Sequence, residues 1–254
     1  MIVAISNQKG GVGKTTTAVN LATALAAVGY KTLLVDLDPQ RNASVSFGCQ
    51  GALVDSYRFM VDDQLPEKVF TETFVPYLSL LPASVELSFF ELRHGPDPSG
   101  SLLLKGRLDA YQKDFDFIFL DCPPTFGRLS LNAWGAANWV LIPLQCEYFA
   151  LEGLVYLLNN ILKTKKTLNP KLSISGVVLT MYDKRGVLSQ QIEADVRKNL
   201  GEKVYKTVIP RNVKIAEAPS HGQPVLFYDI RCPGAMAYMD LAREFLERHN
   251  CQKE

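Results

Sequence analysis

Residues 2–16 read Ile2-Val3-Ala4-Ile5-Ser6-Asn7-Gln8-Lys9-Gly10-Gly11-Val12-Gly13-Lys14-Thr15-Thr16. Four apolar residues bounded by a glycine-rich turn read as a buried strand, Ile2–Ser6. The spacing of Ala18, Leu21, Leu25 and Val28 predicts a helix from Lys14 to about Val28, closed by Gly29. A loop between a first strand and a first helix is suited to phosphate. Glycines let the chain turn tightly enough for several N–H groups to face one anion, and the helix adds free amides and its positive dipole end. Gly10, Gly11, Val12 and Gly13 form the turn, with Thr16 just inside the helix. Lys14 is placed to reach β- and γ-phosphates, and Thr15 to offer its hydroxyl to Mg²⁺. A nucleoside triphosphate with Mg²⁺ is the expected ligand.

The rest of the chain repeats the strand–helix alternation. Strands are expected at Thr32–Asp36, Leu78–Leu81, Phe115–Leu120, Asn138–Leu144, Ile174–Met181 and Val204–Ile209. Helices are expected at Leu102–Tyr111, Ala150 to about Thr167, Ser189–Asn199 and about Gly234–Arg248. Residues 49–78 are less regular. Near-continuous apolar strands such as Phe117-Ile118-Phe119-Leu120 belong in a parallel sheet covered on both faces. The expected fold is therefore α/β, a doubly wound, mostly parallel sheet with helices on both faces and its site beyond the strand C-termini. No repeat or linker divides the 254 residues, so one domain spanning 1–254 is expected.

Bulk properties narrow the class. A chain 47% hydrophobic and 21% charged is an ordinary globular protein. No apolar run nears the ~20 residues of a membrane span, and with the first strand beginning at once no leader segment is expected. Cys49, Cys122, Cys146, Cys232 and Cys251 are scattered without a CxxC pair, as expected of free thiols in a cytoplasmic protein. Net charge is only +1, but residues 160–215 hold twelve Lys/Arg against four Asp/Glu, a local +8 on an otherwise acidic chain. Such a segment reads either as a polyanion-binding face or as a solvated surface whose charges point in several directions.

Two further loops carry carboxylates. Asp36-Leu37-Asp38-Pro39-Gln40 follows the second strand, and its period-2 geometry puts both aspartates on one side. Asp38, the outer one, is placed to orient an attacking water and to sit near Mg²⁺. Asp36 is read equally as a helix cap, a surface ion pair or a functional group. Asp121-Cys122-Pro123-Pro124 follows Phe117–Leu120, with Asp121 placed to hold Mg²⁺, Pro123-Pro124 to stiffen the exit and Gly127 to permit a hinge.

The phosphate loop departs from the ordinary Walker A pattern, which needs glycine where Gln8 stands, and it carries a second lysine, Lys9. A two-lysine KGGxGKT loop resembles the deviant Walker A loop of the ParA/MinD-type switches. The runs VDLDPQ (35–40), DCPPT (121–125), PLQCEYFALEG (143–153) and IPRNVKIAEAPSHGQPVLFYD (209–229) resemble those of ParA/Soj-type partition ATPases, from Ile2 to the last helix. The resemblance implies an ATP–Mg²⁺-dependent sandwich homodimer that coats DNA non-specifically at the nucleoid. It also implies weak hydrolysis stimulated by a centromere-binding, ParB-type partner. It gives Lys9 a role in trans at the partner's ATP, and it matches Lys14, Thr15, Asp38 and Asp121 to family positions. By the same resemblance Arg185 and Lys214 match DNA-contacting basic positions, where the family usually has arginine at the second. Met181 and Pro210 are expected to pack the adenine ring. Asn212 is read either as reading its edge or as a helix cap. Arg41, where the family commonly has glycine, and Gly186-Val187, where it has asparagine, are departures.

Alternatives on the same scaffold are distinguishable. A MinD-like membrane switch needs a basic amphipathic C-terminal helix, whereas Asp240–Arg248 balances acids and bases. Iron–sulfur carriers need paired cysteines, and a metabolic ligase such as dethiobiotin synthetase needs a second substrate pocket. A DNA-bound ATP clamp with negligible turnover is the non-enzymatic alternative.

Overall fold

The computed structural model describes residues 1–49, 51–93, 98–148 and 150–251. Eight strands form one sheet: β1 Ile2–Ile5, β2 Thr32–Asp36, β3 Thr71–Glu72, β4 Leu78–Leu81, β5 Phe117–Asp121, β6 Trp139–Gln145, β7 Ser173–Tyr182 and β8 Val204–Pro210. Their order is β3-β4-β2-β5-β1-β6-β7-β8, parallel throughout except for the two-residue β3. The longer helices are α1 Lys14–Ala27, α2 Arg128–Ala136, α3 Ala150–Thr167, α4 Val187–Leu200 and α5 Pro233–Arg248.

Alternation along the central strands makes two cores. Ile2 and Ala4 of β1 and Ile118 and Leu120 of β5 face the side covered by α2 and α3. Val3, Ile5, Phe117 and Phe119 face the other side, against Leu21 and Leu25 of α1 and Leu241 and Phe245 of α5. β1 lies at the centre, where the strand order reverses, so the loop after it opens at the switch point of the sheet.

Several expected elements change at their ends. β5 starts at Phe117 because Asp116 is spent in a turn, accepting the Lys31 N–H on its carboxylate and the terminal amine on its carbonyl. The helix expected over Leu102–Tyr111 is only Leu103–Leu108. Helix α2 was not foreseen, since Asn132 and Gly135 lower its propensity. Gly135 is required by packing: a Cβ there would stand 2.9 Å from the Leu102 side chain and 3.0 Å from the Ser101 carbonyl. Gly127 is extended (φ −139°) just before α2, a conformation open to any residue, so nothing here makes it a hinge. Among the described residues no helix is long and apolar enough to cross a membrane. Tyr238, Leu241 and Phe245 of α5 are buried in the core, so its apolar face is already covered.

Candidate functional site: a glycine-rich loop at the strand ends

A cavity of about 660 Å³ opens at the C-terminal ends of the central strands. Gly10, Gly11, Gly13, Lys14, Thr15 and Thr16 line it from the loop, Asp38 from the β2 exit, and Met181, Pro210 and Asn212 from the β7 and β8 exits. The loop takes its shape from glycine where it must: Gly11 and Gly13 sit at φ 75° and 86°, and Gly13 precedes the first residue of α1. Val12 is buried and does not line the cavity; its carbonyl accepts the Thr180 hydroxyl at 2.8 Å. Asn7 braces the other flank, accepting the Lys9 N–H on Oδ1 (3.0 Å) and donating from Nδ2 to the Pro143 carbonyl (2.7 Å). Neither Asn7 nor Thr180 was singled out from sequence, although a polar residue between a strand and a glycine loop is a recognisable turn signal.

The two loop lysines behave differently. Lys14 is buried, and its ammonium donates to the Lys9 carbonyl at 3.1 Å. Burial pulls its pKa down, opposed by the charges of Asp121 and Asp38. The Lys9 ammonium does not line the cavity. It pairs at the surface with Glu147, both side chains being about two-fifths exposed.

Strand register brings the aspartates together: Asp36 of β2 stands directly beside Asp121 of β5. Asp36 is fully buried, which excludes a surface ion pair. Its Oδ2 accepts both the Ser44 N–H (2.8 Å) and hydroxyl (2.7 Å), and its Oδ1 accepts the Asp38 N–H (3.1 Å). It therefore anchors the short helix Asn42–Val45, close to the cap reading, and burial raises its pKa to about 6. Asp38 is 6% exposed; its Oδ1 accepts the Gln40 N–H and its carbonyl accepts the Arg41 N–H, both at 2.9 Å, which fixes the turn that presents it to the cavity.

Asp121 is also fully buried, and beyond the Thr15 side chain its carboxylate oxygens have no donor. Burial first, and the Asp36 charge next, raise its pKa well above the usual range, while Thr15 and Lys14 act to lower it. Buried carboxylate oxygens left short of donors call for a cation. Among the described residues no three His, Cys, Asp or Glu side chains converge to cage a metal. A hard ion that takes most of its oxygens from phosphate and water, as Mg²⁺ does, suits that donor set.

Asn212 caps the short helix Val213–Glu217, its Oδ1 accepting the Lys214 N–H at 2.9 Å. Because the cap uses Oδ1, the amide Nδ2 stays available as a donor at the cavity wall, so both readings of this residue are compatible. Arg185, on the loop after β7, and Lys214, on the short helix after β8, lie outside the cavity; the ends of those strands are paired at Tyr182 and Pro210.

The +8 segment does not form one face. Lys184, Arg185, Arg211 and Lys214 follow β7 and β8 at the cavity end. Lys163, Lys165, Lys166, Lys171, Arg197, Lys198, Lys203 and Lys206 gather towards the opposite end, where α3 and α4 finish and β7 and β8 begin. The Lys165 contact with Ser173 (3.4 Å) and the Arg197 bond to the Tyr205 carbonyl (3.1 Å) place them there.

Comparison with known proteins bears on this arrangement. A family model described as "AAA domain" matches residues 1–174. The chain is 49% identical over 245 residues to the sporulation initiation inhibitor protein Soj of Bacillus subtilis, covering 96% of this chain and 97% of that one. It is 47% identical over 251 residues to the chromosome partitioning protein ParA of Caulobacter vibrioides, covering 97% and 94%. The chain belongs to the ParA/Soj family of partition ATPases. Among solved structures it is similar to cobyrinic acid a,c-diamide synthase from Mycobacterium smegmatis with bound ADP and magnesium: TM-score 0.85, 32% identity, covering 98% of this chain and 95% of that one. As a ParA/Soj member the chain has the P-loop NTPase fold.

Proposed function

We propose that the protein is a partition ATPase whose ATP–Mg²⁺ complex closes a homodimer on DNA. The observation that carries the reading is the convergence of Lys14, Thr15 and Asp38 on one cavity, lined by a loop with two left-handed glycines, with the buried Asp121 carboxylate interacting with Thr15 and Lys14. The amides of residues 10–15 and the Lys14 ammonium bind the phosphates, replacing the contact that Lys14 makes with the Lys9 carbonyl. Thr15 and Asp121 would hold Mg²⁺, which when bound would neutralise charge on the β- and γ-phosphates. Asp38, fixed by its turn, orients the water that attacks the terminal phosphate. Met181 and Pro210 flank the base and Asn212 Nδ2 donates to its edge.

Lys9, held at the surface by Glu147, serves a neighbouring molecule's triphosphate, acting there as an arginine finger does. Arg185 and Lys214 contact DNA phosphates, which gives affinity with little sequence information. A centromere-binding partner of ParB type accelerates turnover, and the dimer works in the cytoplasm on the nucleoid. The identity of 49% to Soj, against 32% to the synthase, favours partition over a metabolic ligase.

The test is a titration with fluorescent ATP in the presence of Mg²⁺. Lys14→Ala is expected to lose binding by at least two orders of magnitude, while Lys9→Ala binds as the monomer does. Retained affinity in Lys14→Ala refutes the loop assignment. Phosphate release in the presence of DNA and partner then separates an ATPase from a clamp.

A further inference from the structure

We propose that Glu217 is a built-in brake on the basic surface beside the cavity, holding Lys214 in an ion pair that a polyanion must displace. The inference rests on the reading of that surface as a phosphate-binding one. Lys214 and Glu217 stand three residues apart on the short helix Val213–Glu217, with Nζ 2.9 Å from Oε2. The Tyr228 hydroxyl donates to the same oxygen at 3.2 Å, so the carboxylate is tied to the separate helical turn Val225–Tyr228 and does not follow the lysine outward. The ammonium also lies 5.4 Å from the centre of the Tyr228 ring, on which His221 stacks with centroids 4.9 Å apart. Among the described residues Lys214 alone of the four cations that follow β7 and β8 is ion-paired.

Lys214 and Glu217 are 43% and 40% exposed, so the pair contributes little to stability. Its consequence is electrostatic. A carboxylate in contact with the ammonium cancels its field at the distance where a phosphate approaches, and repels that phosphate once the lysine turns towards it. The Glu217 hydrogen bond and charge hold Lys214 protonated, so the lysine is masked rather than neutralised. Glu217→Gln removes the charge yet keeps an oxygen to accept from Tyr228.

The experiment is fluorescence anisotropy of a labelled random-sequence duplex against the full chain, with a non-hydrolysable ATP analogue and Mg²⁺, over a series of KCl concentrations. Glu217→Gln is expected to bind about three- to tenfold more tightly than wild type, with a slope of log affinity against log salt steeper by about one. Tyr228→Phe, which frees one anchor of the carboxylate, gains less. Lys214→Gln weakens binding, and adding Glu217→Gln to it gains less than Glu217→Gln gains over wild type, because only the direct repulsion is then left to relieve. Unchanged or weaker binding by Glu217→Gln, with Lys214→Gln still impaired, overturns the brake alone. If Lys214→Gln binds as wild type does, the assignment of this surface fails and the brake fails with it. Wild-type unfolding midpoints in all three single variants exclude a folding defect as the cause.

Discussion

Arg41 and Met181 flank the cavity in a backbone conformation that L-residues seldom adopt, at φ 62° and 48°. A left-handed non-glycine residue costs about 1–2 kcal/mol, and such strain tends to gather at functional sites. Arg41 closes the turn begun by Asp38 and precedes the helix Asn42–Val45, so the strain sits on the loop that presents the aspartate. Arg41→Gly and Arg41→Ala both remove the side chain and differ in backbone cost. The glycine variant is expected to be the more stable in urea by about 1 kcal/mol, and equal midpoints would show that the loop carries no strain. At the other end of the chain, His249 packs against the rings of Trp139 and Phe245 and shares a 2.8 Å hydrogen bond with Ser175. Burial, with the Arg248 charge beside it, depresses its pKa from 6.5 to about 4. The unfolded chain therefore binds the proton more readily, and stability falls as pH drops through the window from about 6.5 to about 4. After solvent screening the effect is on the order of 1 kcal/mol. His249→Gln is expected to flatten that part of the melting-temperature profile, and an unchanged profile would rule His249 out as its source.

Among the elements, β8 shows how an edge strand is closed. The two carboxylate oxygens of Glu244 accept the successive N–H groups of Lys206 and Thr207 at 2.8 Å, and Arg248 holds the same carboxylate at 2.7 Å. The fork occupies donors that would otherwise invite another strand. Glu244→Ala is expected to cost about 1–3 kcal/mol in urea unfolding and to raise turbidity at high concentration; a stable, clear variant would show that α5 covers the edge by packing alone. Element type was largely legible in the sequence. β2, β4 and α3 lie where their apolar patterns put them, because each buries a run of side chains at a fixed period. What the sequence could not carry was adjacency. That Asp36 and Asp121 are neighbours depends on the register of β2 and β5, eighty-five residues apart. That Ser44 spends the Asp36 charge across a turn, and that Glu147 holds Lys9 from far along the chain, are pairings without a periodic signal. The +8 segment failed as a single face for a simple reason. Helices α3 and α4 run antiparallel to the strands, so basic residues at their ends land opposite the cavity.

For the whole molecule, the sheet order places the phosphate loop at the reversal point, with the Asp38 and Asp121 loops on one flank and the Met181 and Asn212 loops on the other. Every group proposed to touch nucleotide or DNA therefore leaves the sheet at one end, so one face has to serve the triphosphate, the second subunit and the polyanion. Lys9 links the first two: it belongs to the phosphate loop but points to the surface, towards Glu147. A dimer built through that lysine has a measurable mass. The most direct test is light scattering behind size exclusion on Asp38→Ala saturated with ATP and Mg²⁺, the substitution being chosen to stop turnover. The account expects twice the 28.2 kDa of one chain, falling back to a single chain in Asp38→Ala/Lys9→Ala with ATP still bound. A nucleotide-saturated Asp38→Ala that elutes as a monomer would contradict it.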